Sequence, residues 1–391
     1  MIRLIVIICC LNLFPALFAQ QKIRIGLFQD IIPEAYVVHC ISGEYQVVTN
    51  EGERNIRVGE LVYLSLIGEN ILLSDGDLNF SYHKKILFKD ISGNGVFRLR
   101  SVHPVGESGN YEGDLDIFTK NKALYAVNIL DLDKYLAGVV ETEGGPSAHP
   151  EFYKAMAIIC RTYAIRNFNA HATEGFNLCD HTHCQAFKGK SEQNSYIPDA
   201  VLTTHNLVLT GRYFVLINAV YHSNSGGETR RASDIWTNED EYLQAILDPF
   251  SQGQPNYLWE KVIPFNTWKN YLISCGIQSF NNADSLTFLI NQPHRKKFFI
   301  CDNDTLRIEK VRADLNLRSA FFDMNIKGDS IVFKGKGYGH GVGMSQEGAM
   351  EMARQGFSFS DILRFYYHQV HIRDLSNIPD EQLPPEFREK Q

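Results

Sequence analysis

The 391-residue chain reads as a mixed α+β protein: a largely antiparallel, β-rich scaffold followed by a helical region. Three observations predict this. Short β-branched and aromatic runs alternate with turn dipeptides up to about residue 128. Apolar residues then recur at helical spacing behind a strong helix start. The composition, 44% hydrophobic and 12% aromatic, is enough to bury a large core in two or more units.

In chain order, the runs IRIGLF, AYVVHCI, YQVVTNEG, LVYLSLI, VFRLRSV and LDIFTKNKALYAVNI read as strands, punctuated by Glu51-Gly52, Asp75-Gly76 and Asn94-Gly95. DLDKYLAGVV reads as a short helix leading into Glu141-Thr-Glu143-Gly-Gly-Pro146. The next helix has His149 as cap, Pro150 at its first position and Glu151 in its first turn, with Phe152, Met156, Ile159 and Tyr163 forming one core face. VLTTHNLVLT, YFVLINAVYHS, LRIEKVRAD and DSIVFKGKG are expected as strands, and TWKNYLISC as a helix. Gly335 to Gly343 holds five glycines in nine residues, a density that lets backbone approach a ligand or another chain closely. Ser345 then opens a helix ending at Gly356, and Ser358 with Asp361 signals a cap for another. The expected organisation is a signal peptide over 1–19, a β-rich region over 20–128, a region carrying the chemistry over 129–372, and a loose polar tail over 373–391.

The first nineteen residues have the pattern of an export signal: Arg3, then an apolar stretch from Leu4 to Phe18 broken only by Asn12, then small residues at Ala16 and Ala19. No later stretch is long enough to span a bilayer, so the mature chain is expected in the periplasm or cell envelope without a transmembrane segment. A net charge of −7 with no Lys/Arg run argues against a nucleic-acid partner.

Six of the eight cysteines lie beyond the signal. Cys275 and Cys301 are isolated and could pair as a disulfide, while Cys160 reads as a small buried hydrophobe. In HATEGFNLCDHTHC, two thiols and three imidazoles crowd fourteen residues. Soft thiolates with imidazoles suit tetrahedral Zn²⁺, and the other reading is a Cys179–Cys184 disulfide with solvated histidines. Glu143 precedes a Gly-Gly-Pro turn that can present a carboxyl group at a cleft edge, or is a solvated loop residue. If Glu141 and Glu143 lie on extended chain they share a face, as a two-carboxylate glycosidase would need. There is no nucleophile elbow around Ser223, no phosphate loop in GKGYGHGVGMSQ and no HExxH.

Four segments together, YLAGVVETEGGPSAHPEFYKAMAIICRTYA, FNLCDHTHCQAFKG, AVYHSNSGGETRRASDIW and GKGYGHGVGMSQEGAMEMARQGFSFSDILRFYYH, resemble the SpoIID/LytB proteins, the sporulation-type peptidoglycan lytic transglycosylases and the related amidase enhancers. The resemblance runs from about Ile23 to Ile372 and implies a SpoIID-like fold. It makes Glu143 the catalytic acid, eleven residues before Lys154. The family usually has methionine and then proline directly after this glutamate, whereas Gly144-Gly145 stands before Pro146 here. It implies zinc, of structural type, on His171, Cys179, His183 and Cys184, and leaves out His181, where the family commonly has threonine. It assigns Lys154, His222, Ser223, Ser225, His340 and Gln346 to the substrate groove.

The implied reaction is non-hydrolytic cleavage of the MurNAc–GlcNAc bond of peptidoglycan glycan strands with a 1,6-anhydro product. Glu143 serves as acid and then as base, which requires a raised pKa. The alternative the resemblance carries is a non-catalytic peptidoglycan-binding protein that stimulates a cell-wall amidase. A zinc hydrolase is disfavoured, since two thiolates mark a closed structural site.

Overall fold

The computed structural model describes residues 21–74, 80–106, 108–237, 240–277, 289–301 and 304–388. The segment read as an export signal and the Asp75-Gly76 turn lie outside the described residues. The fold is α+β with predominantly antiparallel sheets.

The first half supplies twelve strands: β1 (Lys22–Leu27), β2 (Ala35–Ser42), β3 (Tyr45–Thr49), β4 (Gly52–Ile56), β5 (Leu61–Ile67), β6 (Asn70–Ser74), β7 (Phe80–His83), β8 (Lys85–Asp90), β9 (Val96–His103), β10 (Ser108–Glu112), β11 (Asp114–Lys120) and β12 (Ala123–Asp131). They form a six-stranded sheet, β10-β9-β2-β5-β6-β7, and most of a seven-stranded one, β1-β12-β11-β8-β3-β4. Alternation decides which face is buried. On β2 it is Tyr36, Val38 and Cys40, on β5 Val62 and Leu64, and these join Ile23, Ile25 and Ile117 of the other sheet in one core.

β12 runs directly into α1 (Leu132–Gly144), which is followed by α2 (Pro150–Arg166). The imidazole of His149 accepts from Glu151 N–H at the start of α2, as the sequence predicts. α2 is nearly enclosed: Phe152, Met156, Ile159 and Cys160 are fully buried, and α3 (Tyr196–Thr203), α6 (Gln346–Arg354) and α7 (Phe359–Tyr366) pack on it. Ser345 caps α6 through Gly348 N–H, and Ser358 with Asp361 forms the capping box of α7. The short strand β13 (Leu178–Cys179) adds parallel to β1 at the edge of the seven-stranded sheet.

Residues 258–336 carry a second core. β16 (Leu258–Pro264), β19 (Phe322–Lys327) and β20 (Ser330–Lys336) form its sheet, against which α4 (Phe265–Ser274) packs Trp268 and Leu272. Across the second half several expected strands fail. LRIEKVRAD divides into β18 (Asp304–Arg307), hairpinned to β17 (Phe298–Cys301), and α5 (Ile308–Asp314), whose Ile308 and Val311 meet the core at helical spacing. VLTT closes α3, leaving only β14 (Leu207–Thr210) as strand, and YFVLINAVYHS keeps only β15 (Tyr221–His222). β15 pairs in parallel with β21 (Met344–Ser345). Cys275 is a free thiol, and the side chain of Cys301, with which it could have paired, lies outside the described residues.

As far as residue 388 the tail is not loose. β22 (His371–Asp374) pairs with β14, and beyond it Ile378 and Leu383 are buried in the main core while Phe387 meets Phe168 edge-on at 4.9 Å. Widely spaced apolar residues anchor a segment whose composition is otherwise polar. Among the described residues, no helix is long and apolar enough to cross a membrane.

Candidate functional site

Glu141 and Glu143 are helical, because α1 continues through both to Gly144 and stops where Gly145 takes φ +70. The two-carboxylate face expected of an extended chain is therefore not formed: residues two apart on a helix are separated by about 200°. Glu141, 8% exposed, accepts from Ser191 Oγ and from the N–H groups of Glu192, Gln193 and Asn194 at 2.9–3.3 Å. It anchors a loop.

Glu143 faces another set of partners. Its Oε1 accepts from Ala186 N–H at 2.9 Å, and its carboxyl group also hydrogen-bonds the Tyr221 phenol. Burial raises its pKa, and these two hydrogen bonds oppose the rise without cancelling it. Gln346, the first residue of α6, donates Nε2–H to the main-chain oxygen of Glu143 at 3.0 Å. Glu143 is thus held from three directions, its carboxyl group by the loop at 186 and by β15, and its main-chain carbonyl by the start of α6.

The loop at 186 follows directly on a cluster of soft donors. One ligand atom from each of His171, Cys179, His183 and Cys184 lies within 4.8 Å of all the others. Cys184 Sγ is 3.4 Å from His171 Nε2 and 3.7 Å from His183 Nδ1, and Cys179 Sγ is 3.6 Å from His183 Nδ1. Tetrahedral zinc with bonds of 2.0–2.3 Å would need ligand separations of about 3.3–3.8 Å, so these residues could hold such an ion. Both cysteines are free thiols, which removes the disulfide reading. They share a hydrogen bond that lowers Cys179 to about 4 and pushes Cys184 up. His181 is turned aside, its Nδ1 accepting from His183 N–H at 3.2 Å.

Cys179 is placed by β13 on the sheet edge, opposite Gly26. Asp180 then accepts from Phe28 N–H at 2.6 Å, and Phe187 N–H closes the loop onto Asp180 O at 2.9 Å. Ala186 therefore stands two residues from a sulfur of the cluster and one hydrogen bond from Glu143.

The other expected groove residues differ in their surroundings. His222 and His340 have ring centroids 5.6 Å apart; His222 Nδ1 bonds Val342 O, and His340 Nδ1 accepts from Val342 N–H, each at 3.0 Å. Burial, with His340 and Arg295 beside it, keeps His222 well below its ordinary value, and burial with Arg312 lowers His340 to about 4. Both imidazoles are neutral at pH 7. Ser223 accepts from Asn256 Nδ2–H at 3.3 Å. Ser225, by contrast, is fully buried and donates within an Asp248–Ser251 network at 2.7 Å, which shapes the turn. Lys154 pairs with Glu151 at 2.6 Å, whose other oxygen accepts from Phe359 N–H; that places its ammonium at the junction of α2 and α7.

The sequence reading missed Tyr221, which looked like one more apolar strand residue, and Trp236, whose ring lies 5.5 Å from His340. Adjacency to His222 was the available signal for Tyr221. Cys160 is buried as expected, but it too hydrogen-bonds Tyr221.

Residues 120–211 match the SpoIID family, described as Stage II sporulation protein. The chain is 31% identical over 265 residues to Stage II sporulation protein D of Bacillus subtilis (strain 168), a match covering 64% of this chain and 76% of that one. It is 26% identical over 379 residues to an uncharacterized protein of Brachyspira hyodysenteriae, covering 94% and 97%. A match to the amidase enhancer of Bacillus subtilis is 28% identical over 284 residues, covering 59% of this chain and 39% of that protein.

Proposed function

The chain belongs to the SpoIID/LytB family, and we propose that it is an exported lytic transglycosylase that cleaves the MurNAc–GlcNAc bond of peptidoglycan glycan strands. One observation carries the reading: a single glutamate, Glu143, is half-buried at a helix end, held by Ala186 N–H and Tyr221, with its pKa raised by burial. Such a carboxyl group stays protonated closer to neutral pH than an exposed one and can act as a general acid. Glu143 gives its proton to the glycosidic oxygen as the C1–O bond breaks. As carboxylate it then takes the proton of the MurNAc C6 hydroxyl, whose oxygen bonds C1 to close the 1,6-anhydro ring, so the proton count balances without water. The hydrogen bonds from Ala186 and Tyr221 favour the carboxylate and lower the cost of the first step.

Zinc fits the donor set of His171, Cys179, His183 and Cys184, and there it would supply structural cross-linking. It would fix the loop whose Ala186 N–H orients Glu143. Export rests on the N-terminal pattern of Arg3, an apolar run and Ala19.

A second reading has its own support. The similarity to an amidase enhancer, with Gly144-Gly145 after the glutamate, fits a protein that grips glycan strands for a cell-wall amidase without cutting them. Digestion of purified glycan strands followed by mass spectrometry separates the two. Anhydro-sugar ends support the transglycosylase, reducing ends a hydrolase, and intact but retained strands the enhancer.

A further inference from the structure

The Glu143 chemistry leaves unused a concentration of positive charge where the glycine-rich loop meets the unit at 258–336. Arg230, 2% exposed, pairs with Glu309 at 2.7 Å, and Arg312 pairs with the other oxygen of Glu309 at 2.5 Å, so one carboxylate serves two guanidiniums. Arg295 has only carbonyl acceptors for its guanidinium among the described residues, Glu228 O at 2.7 Å and Ser225 O at 2.5 Å. It packs over Phe321 and against Gly341, where a Cβ would stand 3.0 Å from Arg295 Cζ. The glycine keeps the loop close to the guanidinium.

Among the described residues, four buried nitrogens in this neighbourhood have no partner: Arg230 Nη2, Arg295 Nη1, Arg312 Nε and His222 Nε2. Buried polar atoms are seldom left unpaired, and four together call for a ligand that completes them. Their polarity defines it. The three guanidinium nitrogens are donors and ask for an oxyanion. His222 must donate Nδ1–H to the Val342 carbonyl, so its Nε2 is a bare acceptor that asks for a hydroxyl or amide N–H. The influence of Arg295 and Arg312 on His222, and of Arg312 and Arg230 on His340, fits this closeness. The cluster is not sealed, since Arg312 is 24% exposed, and beside His340 Trp236 is 38% exposed and offers a ring face to a sugar.

We infer that Arg230, Arg295, Arg312 and His222 form a binding site for a carboxylate-bearing amino sugar, with the carboxylate on the guanidiniums and a sugar hydroxyl or acetamido N–H on His222. The inference rests on the peptidoglycan reading above, in which that carboxylate belongs to a muramic acid or to a peptide attached to it.

The test is a calorimetric titration of the full mature chain carrying Glu143→Gln, which removes turnover, with N-acetylglucosamine and N-acetylmuramic acid, two sugars that differ by the lactyl carboxylate. The muramic sugar should bind about tenfold tighter, one charge-assisted contact's worth, and the advantage should shrink with added salt. Arg312→Gln should remove that advantage and leave the glucosamine affinity unchanged. Should that variant fold poorly, inorganic phosphate must displace the muramic sugar, and not the glucosamine, from the Glu143→Gln protein. Muramyl dipeptide, whose lactyl group is an amide, assigns the source: undiminished binding points to the peptide carboxylate, and loss points to the lactyl one. Equal affinity for both sugars with no phosphate displacement overturns the site and leaves the Glu143 reading intact. Failure of the wild type to make anhydro ends, with the muramic preference kept, sinks the transglycosylase and leaves the site.

Discussion

Replacing Gly138 by alanine should displace Glu143 without touching it. Gly138 is buried in α1, and a Cβ there would fall 2.2 Å from Gly189 O and 2.6 Å from Phe187 Cε2. Non-bonded heavy atoms prefer about 3.5 Å, so helix and loop must part by roughly 1 Å. Neither neighbour yields easily: one is main chain, and Phe187, 1% exposed, is wedged between Tyr111 and Tyr135. Overpacking of this kind costs about 1–3 kcal/mol, against about 0.5–1 kcal/mol gained when alanine replaces a helical glycine. The net expectation is a loss of about 1–2 kcal/mol, read as a lower urea midpoint at unchanged slope. Because Ala186 precedes Phe187, the same shift stretches the Ala186–Glu143 bond, and glycan cleavage should fall about 100-fold. A more stable Gly138→Ala protein with unchanged cleavage would refute the packing argument and the claim that this loop positions Glu143.

Three further outcomes are expected. Tyr221→Phe removes a hydrogen bond that lowers the pKa of Glu143, so the pKa rises further and the alkaline limb of the cleavage profile moves to higher pH; a limb moving down, or not at all, counts against Glu143 as the acid. Cys184→Ser should yield protein without zinc that melts earlier and cleaves poorly, whereas zinc-free wild-type protein with an equal melting temperature would exclude the metal site. Glu141→Ala strands a hydroxyl and three N–H groups and should cost about 2–3 kcal/mol, while Glu141→Gln keeps cleavage within a few-fold, as fits a loop anchor outside the chemistry; cleavage abolished in a folded Glu141→Gln protein would contradict that role.

What was legible in the sequence followed local rules. The inward residues of β2 and β5 alternate, and the caps at His149, Ser345 and Ser358 are written in short motifs. The donor cluster was legible for the same reason, since three of its four residues fall between 179 and 184. Long-range partnership was not. Whether Glu141 or Glu143 meets Tyr221 depends on how far α1 runs, and ETEGG has turn character that packing overrides. LRIEKVRAD looked like a strand because its apolar residues fit either period over so few positions. The three arginines lie between 230 and 312, and only the meeting of β15, the glycine loop and α5 gathers them.

The most direct test of the central claim is the product spectrum of Glu143→Gln beside wild type on purified glycan strands. Wild type should release fragments with 1,6-anhydro ends, and a folded Glu143→Gln protein that still binds strands should release none. Anhydro ends persisting in the variant, or absent from wild type, would contradict the assignment of Glu143 as acid and base.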